Sequence, residues 1–327
     1  MDFRLDEGQV ALQDAVAGFC ASRLPLDGIP AREAAPVDPS MWRELADLGV
    51  FSVLVPEADG GLGLGVAEAA LVFEQLGRHL VAGPLTWSAL APTVLPVPTD
   101  GGRVIGGFDA AGGNGDDPIL VEHASALDLL LVLHDDRIVA IERVDLPAPA
   151  ASEPLDPLTP VGRFAALPGG TEVAGADEAA RVRARATVLT AALQLGVAET
   201  ALDVARDYSL EREQFGQPIG TFQALKHMMA DMFVRASLAR SATYAAAAVL
   251  DDPAVGHAAR SVSAAKLLAG EAAIENARAS VQVLGGMGFT WEMLPNHLLK
   301  RAWVLESAFG SSTAQALSIS ASVASEL

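Results

Sequence analysis

Cysteine occurs once in this 327-residue chain, at position 20, so no disulfide can form within it and a cytoplasmic setting is expected. Lysine is almost as scarce: Lys226, Lys266 and Lys300 are the whole supply among 22 basic side chains, which stand against 41 acidic ones. A formal charge of −19 with no basic stripe argues against nucleic acid as a partner. No uninterrupted apolar run approaches the roughly 20 residues that a spanning helix needs. The positive mean hydropathy of +0.32, carried by alanine, therefore does not predict a membrane protein. The stretch from Met1 to Glu7 has no basic segment leading into an apolar one, which speaks against a secretory signal. The histidines, at 79, 123, 134, 227, 257 and 297, show no metal-ligand spacing, and no metal is expected.

What is present is apolar, 51% hydrophobic against 19% charged, in a chain long enough to bury a core and divide into subdomains. From Leu5 to about Ala91 the pattern is helical. Val10, Leu12, Val16 and Phe19 recur at helical intervals, and a helix through Trp42, Leu45 and Leu48 is closed by Gly49. Residues 98–175 differ, with dense glycine and proline and short β-like runs at Arg103 to Ile105, Ile119 to Glu122, Leu129 to Leu133 and Ile138 to Ile141. Pro147 to Gly170 reads as connecting loop. From about Asp177 the chain is helical again. Phe222, Leu225, Met229, Met232, Phe233 and Ala236 place one continuous apolar face on a long helix. Breaks near Gln217-Pro218, Asp251-Asp252-Pro253 and Gly285 to Gly288 make an antiparallel bundle the economical packing. The expected fold is mainly α with a reduced central β domain: a helical domain over 1–95, the β domain and connecting loop over 96–176, and a helical bundle over 177–327.

Several tracts carry more than packing. They are Leu48-Gly49, Pro56-Glu57, Gly60-Gly61-Leu62-Gly63 and Glu74-Gln75-Leu76-Gly77-Arg78, then Arg212-Glu213-Gln214-Phe215-Gly216, Phe222-Gln223, and Gln282-Val283-Leu284-Gly285-Gly286-Met287-Gly288-Phe289. In this order and at this spacing they resemble the acyl-CoA dehydrogenase family over most of the chain, which implies its architecture of α domain, β domain and four-helix bundle. The resemblance also implies FAD at a subunit interface, where the bundle of one subunit completes the flavin site of its neighbour. Arg212, Phe215, Phe222, Gln223, Gln282, Val283, Leu284, Gly285 and Gly286 lie in the tracts that this assigns to cofactor binding. The residue types suit the task. A pyrophosphate needs a fixed cation or backbone N–H donors, and Arg212 offers a planar multi-donor fork. Gln282 can donate to and accept from adenine or ribose, while Gly285 and Gly286 let the backbone come close.

The family's reaction removes a proton from the α carbon of an acyl-CoA thioester while hydride leaves the β carbon for the flavin, and it needs a carboxylate base. In the commoner arrangement that base is a glutamate before a glycine, twenty residues beyond the phenylalanine of Gly-Gly-x-Gly-Phe; here the position is Phe309-Gly310. A second branch of the family places it on an earlier helix, 29 residues before the phenylalanine of Arg-x-x-Phe-Gly. That position is Ala186, and Ala184 to Ala192 contains no acid. Glu306 is the remaining candidate. On a continuing helix it would stand about 60° round and about 4.5 Å along from position 309. Against it, Leu298, Ala302, Leu305 and Phe309 fall at helical spacing, so that Phe309 completes an apolar face.

The β region departs from the family too: neither a Thr-Glu-Pro-Gly-like nor a Trp-Ile-Thr-like segment occurs between Gly83 and Asp177. What survives is the half of the site that reaches into a neighbour. This resembles the small subunit of the heterotetrameric actinobacterial acyl-CoA dehydrogenases of steroid catabolism. It implies a larger homologous chain as partner, an acyl-CoA substrate and a flavoprotein as electron acceptor. The alternatives are a self-associating dehydrogenase that uses Glu306, a flavin monooxygenase or oxidase on the same fold, and an interaction subunit without flavin. Trp291 and Trp303 are expected to pack rather than to catalyse.

Overall fold

The computed structural model describes residues 5–111 and 118–324; Met1 to Arg4, on which the reading of the leader partly rests, lie outside the described residues. Helix α1 (Glu7–Arg23) opens on a capping box, in which the Asp6 carboxylate accepts the Gln9 N–H and the Gln9 amide oxygen accepts the Asp6 N–H. After the single turn α2 (Ile29–Arg32), α3 (Pro39–Asp47) starts with an Asp38 cap and proline at its first position. Gly49 ends α3 as expected: its φ is +92°, and the Val50 N–H returns to the Leu45 carbonyl. Helices α4 (Val66–Arg78) and α5 (Leu85–Leu90) follow.

Strands β1 (Ile105–Asp109), β3 (Leu129–Leu133), β4 (Arg137–Glu142) and β7 (Thr171–Gly175) form one sheet in the order β1-β3-β4-β7, with β1 and β3 parallel and the other pairs antiparallel. Strands β2 (Ile119–Glu122), β5 (Ala150–Ala151) and β6 (Val161–Phe164) form a second sheet in the order β2-β6-β5. The run Leu-Leu-Leu-Val-Leu of β3 is buried on both faces. Val121, Leu127, Leu130, Ile141 and Phe164 share one apolar cluster.

Two expectations need correction. Pro147 to Gly170 is not only connecting loop, because it supplies β5 and β6. Gly162 sits so close beneath Ala124 and Pro149 that a Cβ would come within 2.5 and 2.6 Å of them, so its glycine marks close packing rather than a turn. The first run begins at Ile105 rather than Arg103 and continues through Gly106-Gly107. There Gly107 lies under the Trp87 ring, 2.2 Å from where a Cβ would be.

The remainder is helical: α6 (Ala176–Glu211), a hairpin of β8 (Glu213–Gln214) and β9 (Gln217–Pro218), α7 (Gln223–Asp251), α8 (Ala258–Leu284), α9 (Leu294–Ser307) and α10 (Ser312–Ala324). Helix α6 is long and apolar enough to cross a membrane by composition, yet 83% of its most apolar 18-residue window is buried within the chain. The chain divides into two compact units, one of Met1–Pro30, Ala70–Val81 and Thr187–Leu327, the other of Ala31–Ala69 and Ala82–Ala186.

In the first unit α7 and α8 form an antiparallel hairpin. The Asn276 amide donates to the carbonyls of Met232 (3.0 Å) and Ala198 (3.1 Å), which ties α8 to α7 and α6. The α7 face buried in the chain is Met232, Ala236, Ala239, Thr243, Ala246 and Ala247, which takes in Met232 and Ala236 of the stripe read from the sequence but not its other four members. Phe233 of that stripe is 63% exposed, and Phe222, Leu225 and Met229 are half-buried.

Candidate active site

The hairpin after α6 holds Arg212 and Phe215. The Arg212 N–H continues the helix by donating to Tyr208 (2.9 Å), and the Ile219 N–H closes the hairpin base on the Arg212 carbonyl (2.8 Å). Phe215 and Gly216 form the turn with φ of +54° and +77°. Positive φ is natural for glycine and strained for phenylalanine. The Phe215 ring is 92% exposed and meets the Phe222 ring edge-on at 6.1 Å. Arg212 is exposed and forms no ion pair with Glu211, Glu213 or any other acid among the described residues.

The α7–α8 hairpin brings the other tract to the same end of the bundle. The Met232–Asn276 contact fixes the register. Nine residues back from Met232 is Gln223, and nine forward from Asn276 is Gly285. Gln223, Gln282, Gly285 and Gly286 are all exposed. Gly285 has φ +64° and ψ −142°, a conformation reserved for glycine, and no atom of the chain lies within 4 Å of a Cβ built on Gly285 or Gly286. Packing inside the chain therefore gives Gly286 no reason to be glycine, which fits a backbone left open for a bound group. Val283 and Leu284 differ: their side chains are buried, which leaves only their backbone for the role implied. Arg212, Gln282 and the two glycines thus fit the pyrophosphate and adenine half of a flavin dinucleotide; the segments expected to hold its ring are missing.

The base position is built differently from a continuing helix. α9 stops at Ser307, Ala308 is extended, and Phe309 and Gly310 take φ of +53° and +89°. The apolar face expected to run to Phe309 ends with the helix, although the Phe309 ring is still buried at 9% exposure. Ala186, at the other base position, is fully buried.

Glu306 does not reach outwards. Its Oε1 accepts the N–H of Ser312 at 2.5 Å in the first turn of α10, and its Oε2 lies 3.8 Å from the Lys266 ammonium. Lys266, fully buried, donates to the Glu306 carbonyl at 3.3 Å. Burial pushes its amine down to about 8, with Glu306 pulling the other way. The Gln315 amide donates to the Phe309 carbonyl at 2.8 Å. Glu306 thereby acts as a cap and counter-ion that holds the turn from Ala308 to Ser311. Glu306→Ala is expected to lower stability by about 3 kcal/mol, because it strands the buried Lys266. Chemical denaturation measures this, and flavin content should stay unchanged.

Sequence reasoning missed Lys266, although a lysine in the alanine-rich α8 was itself a signal. It also missed a network in which the buried Glu74 and Glu199 meet Arg78 and Arg240, whose only trace was the four-residue spacing of Glu74 with Arg78 and of Glu199 with Asp203. Trp291, expected to pack, is 61% exposed, with the Lys300 ammonium 2.9 Å above its ring. No metal-binding group of His, Cys, Asp or Glu occurs among the described residues.

Comparison with known proteins gives the class. Residues 180–324 match the acyl-CoA dehydrogenase C-terminal domain and residues 6–98 the N-terminal domain. The chain belongs to the acyl-CoA dehydrogenase family, FAD-dependent oxidoreductases that act on CH–CH groups. It is 32% identical over 312 residues to acyl-CoA dehydrogenase IpdE2 of Mycobacterium tuberculosis, covering 90% of this chain and 91% of that protein. It is 32% identical over 310 residues to acyl-CoA dehydrogenase FadE34 of the same organism, covering 83% of this chain but 41% of that protein. Among solved structures, the ChsE4-ChsE5 complex from Mycobacterium tuberculosis superposes with a TM-score of 0.87 at 26% identity, covering 99% of each chain.

Proposed function

We propose that this chain is the smaller subunit of a two-chain acyl-CoA dehydrogenase, in which it completes the FAD site of a larger homologous partner and contributes no catalytic base. The observation that carries the reading is the pairing of an exposed, internally unpartnered cofactor face at Arg212, Gln282, Gly285 and Gly286 with base positions occupied by Phe309 and Ala186.

When bound, FAD supplies the acceptor for the hydride that leaves the substrate β carbon. Arg212 would neutralise the pyrophosphate, Gln282 would orient the adenine or ribose, and the backbone at Gly285 and Gly286 would admit the dinucleotide without a clash. The carboxylate that takes the α proton belongs in this reading to the partner, as does the acyl pocket. The exposed Phe233 on α7 supports an association surface. FadE34 supports the pairing as well: more than half of that protein lies outside the match, room for a second chain of the same kind. The substrate class to test first is a steroid-derived CoA thioester, with electrons passing to a flavoprotein acceptor. A cytoplasmic location suits the single, buried Cys20.

Co-expression with and without a larger homologue tests this. The single chain is expected to purify with little FAD and no acyl-CoA oxidation, and the co-purified pair with both. A single chain that holds stoichiometric FAD and reduces a dye with acyl-CoA would overturn the proposal, and oxygen-dependent hydroxylation would point to a monooxygenase instead.

A further inference from the structure

Alanine fills most of the small positions of α8, and Gly270 interrupts them in mid-helix, where glycine is the poorer helix former. Its neighbours give the reason. A Cβ built there would stand 2.4 Å from Glu306 Oε2, 2.9 Å from the Ser312 hydroxyl and 3.4 Å from the Gln194 amide nitrogen, so α9, α10 and α6 bring polar tips to one spot on α8. Lys266, fully buried, lies about one turn earlier on the same side of α8. These residues all belong to the first unit.

What the tips lack is one another. Gln194 is completely buried, and neither its amide nitrogen nor its amide oxygen has a hydrogen-bond partner among the described residues. The same holds for the Ser312 hydroxyl and for Glu306 Oε2, both shut off from solvent, although Glu306 Oε1 accepts the Ser312 N–H. Lys266 gives one of its three N–H donors to the Glu306 carbonyl, and its ammonium stops 3.8 Å short of Glu306 Oε2, too far for a direct hydrogen bond. A buried amide left without partners costs more than a hydrogen bond returns, and a polar pair held just beyond contact commonly has a molecule between its members.

The chemistry of the surrounding groups selects that molecule. It must accept from Gln194 or Lys266, donate to Glu306 Oε2, and fit beside a helix that has given up a methyl group. A cation would be repelled by Lys266 and an anion by Glu306. A neutral molecule of that size that both donates and accepts is water.

We infer that Gln194, Lys266, Glu306 and Ser312 hold a buried water molecule beside Gly270, and that this water joins α6 to the turn from Ala308 to Ser311. Direct hydrogen bonds from Glu306 and Gln315 tie that turn to α10, and the water extends the hold to α6. The inference stands apart from the proposed function: it involves no cofactor or substrate group, and its tests read neither flavin nor activity.

Crystallography of the chain in the assembly in which it purifies gives the direct test. Solvent density is expected within hydrogen-bonding distance of the Gln194 amide and of Glu306 Oε2 or the Ser312 hydroxyl. No density there at a resolution that shows other buried waters, or an amide bonded directly to Glu306 or Ser312, overturns the inference. Gln194→Met tests it in solution through the sign of its effect, since methionine keeps the length and bulk without the amide. Were Gln194 dry, the exchange would remove a stranded polar group and raise the Tm. With water bound, it takes a partner from the water and from the groups behind it, and the Tm is expected to fall by about 2–6 °C. A Tm unchanged or raised overturns the inference. Should Gln194→Met not fold, the wild-type density decides.

Discussion

Arg212→Ala combined with Gln282→Ala is expected to strip most of the FAD from the two-chain assembly while leaving each chain folded. Both side chains are exposed, and neither makes a side-chain hydrogen bond or ion pair among the described residues, so their loss removes nothing that holds this chain together. What it removes lies outside the chain. A charge-assisted hydrogen bond to a phosphate is worth about 1.5–3 kcal/mol and a neutral amide bond about 0.5–1.5. The pair therefore accounts for roughly 2–4 kcal/mol, or about 30- to 1,000-fold in the dissociation constant of FAD. Flavin absorbance of the purified assembly against protein concentration reads this directly, and thermal unfolding of apo-protein shows whether the fold has suffered. Arg212→Lys should fall between, because an ammonium keeps the charge and loses the fork. Full flavin retention in the double variant would remove Arg212 and Gln282 from the site.

How far the sequence spoke for itself differed by element. Gly49 announced the end of α3 because a left-handed residue after a helix nearly requires glycine, and local chemistry of that kind is legible. The two-glycine start of β1 was not, because Gly106-Gly107 has the composition of a turn and takes its extended form from Trp87 and Leu127, contacts that no local pattern reports. The bundle was legible as a class and only in part in its faces. Of the stripe from Phe222 to Ala236, Met232 and Ala236 are buried and alanines continue their face along the helix, while Phe222, Leu225, Met229 and Phe233 are left half-buried or exposed. Periodicity shows that a face is apolar, not which molecule covers it. At the candidate site, Arg212 and the Gly285-Gly286 pair were recognisable from residue type and spacing. The role of Glu306 was hidden, because its partner Lys266 stands forty residues away on another helix and the chain leaves the helix just before Phe309.

Gly196→Ala is expected to be among the most damaging single substitutions in the chain, although alanine is the better helix former. Helices α4 and α6 cross with backbone against backbone. A Cβ on Gly77 would sit 2.2 Å from the Leu193 carbonyl oxygen, and one on Gly196 would sit 2.2 Å from the Glu74 carbonyl oxygen and 2.5 Å from the Arg78 nitrogen. Neither neighbour is a flexible side chain that could swing aside, so the helices must separate. Separation loosens what the crossing holds in register, namely the Arg78–Glu199 and Arg78–Asp203 pairs and the Thr200 hydroxyl bonded to the Arg78 carbonyl at 2.9 Å. Against the roughly 1 kcal/mol that alanine gains in helix propensity stands an overpacking cost at or beyond the usual 1–3 kcal/mol, together with weakening of a buried ion pair worth several more. A net loss of about 3 kcal/mol or more, some 6–12 °C in Tm, follows. Gly18→Ala supplies the control. Gly18 is exposed inside α1, with nothing within 4 Å of its Cβ position, so the same change should stabilise by about 0.5–1 kcal/mol. Thermal unfolding of both variants beside the wild type checks the contrast. Equal and small effects at the two positions would mean that the α4–α6 crossing is looser than its geometry shows, and that the ion pairs built around it do not depend on the contact between Gly77 and Gly196.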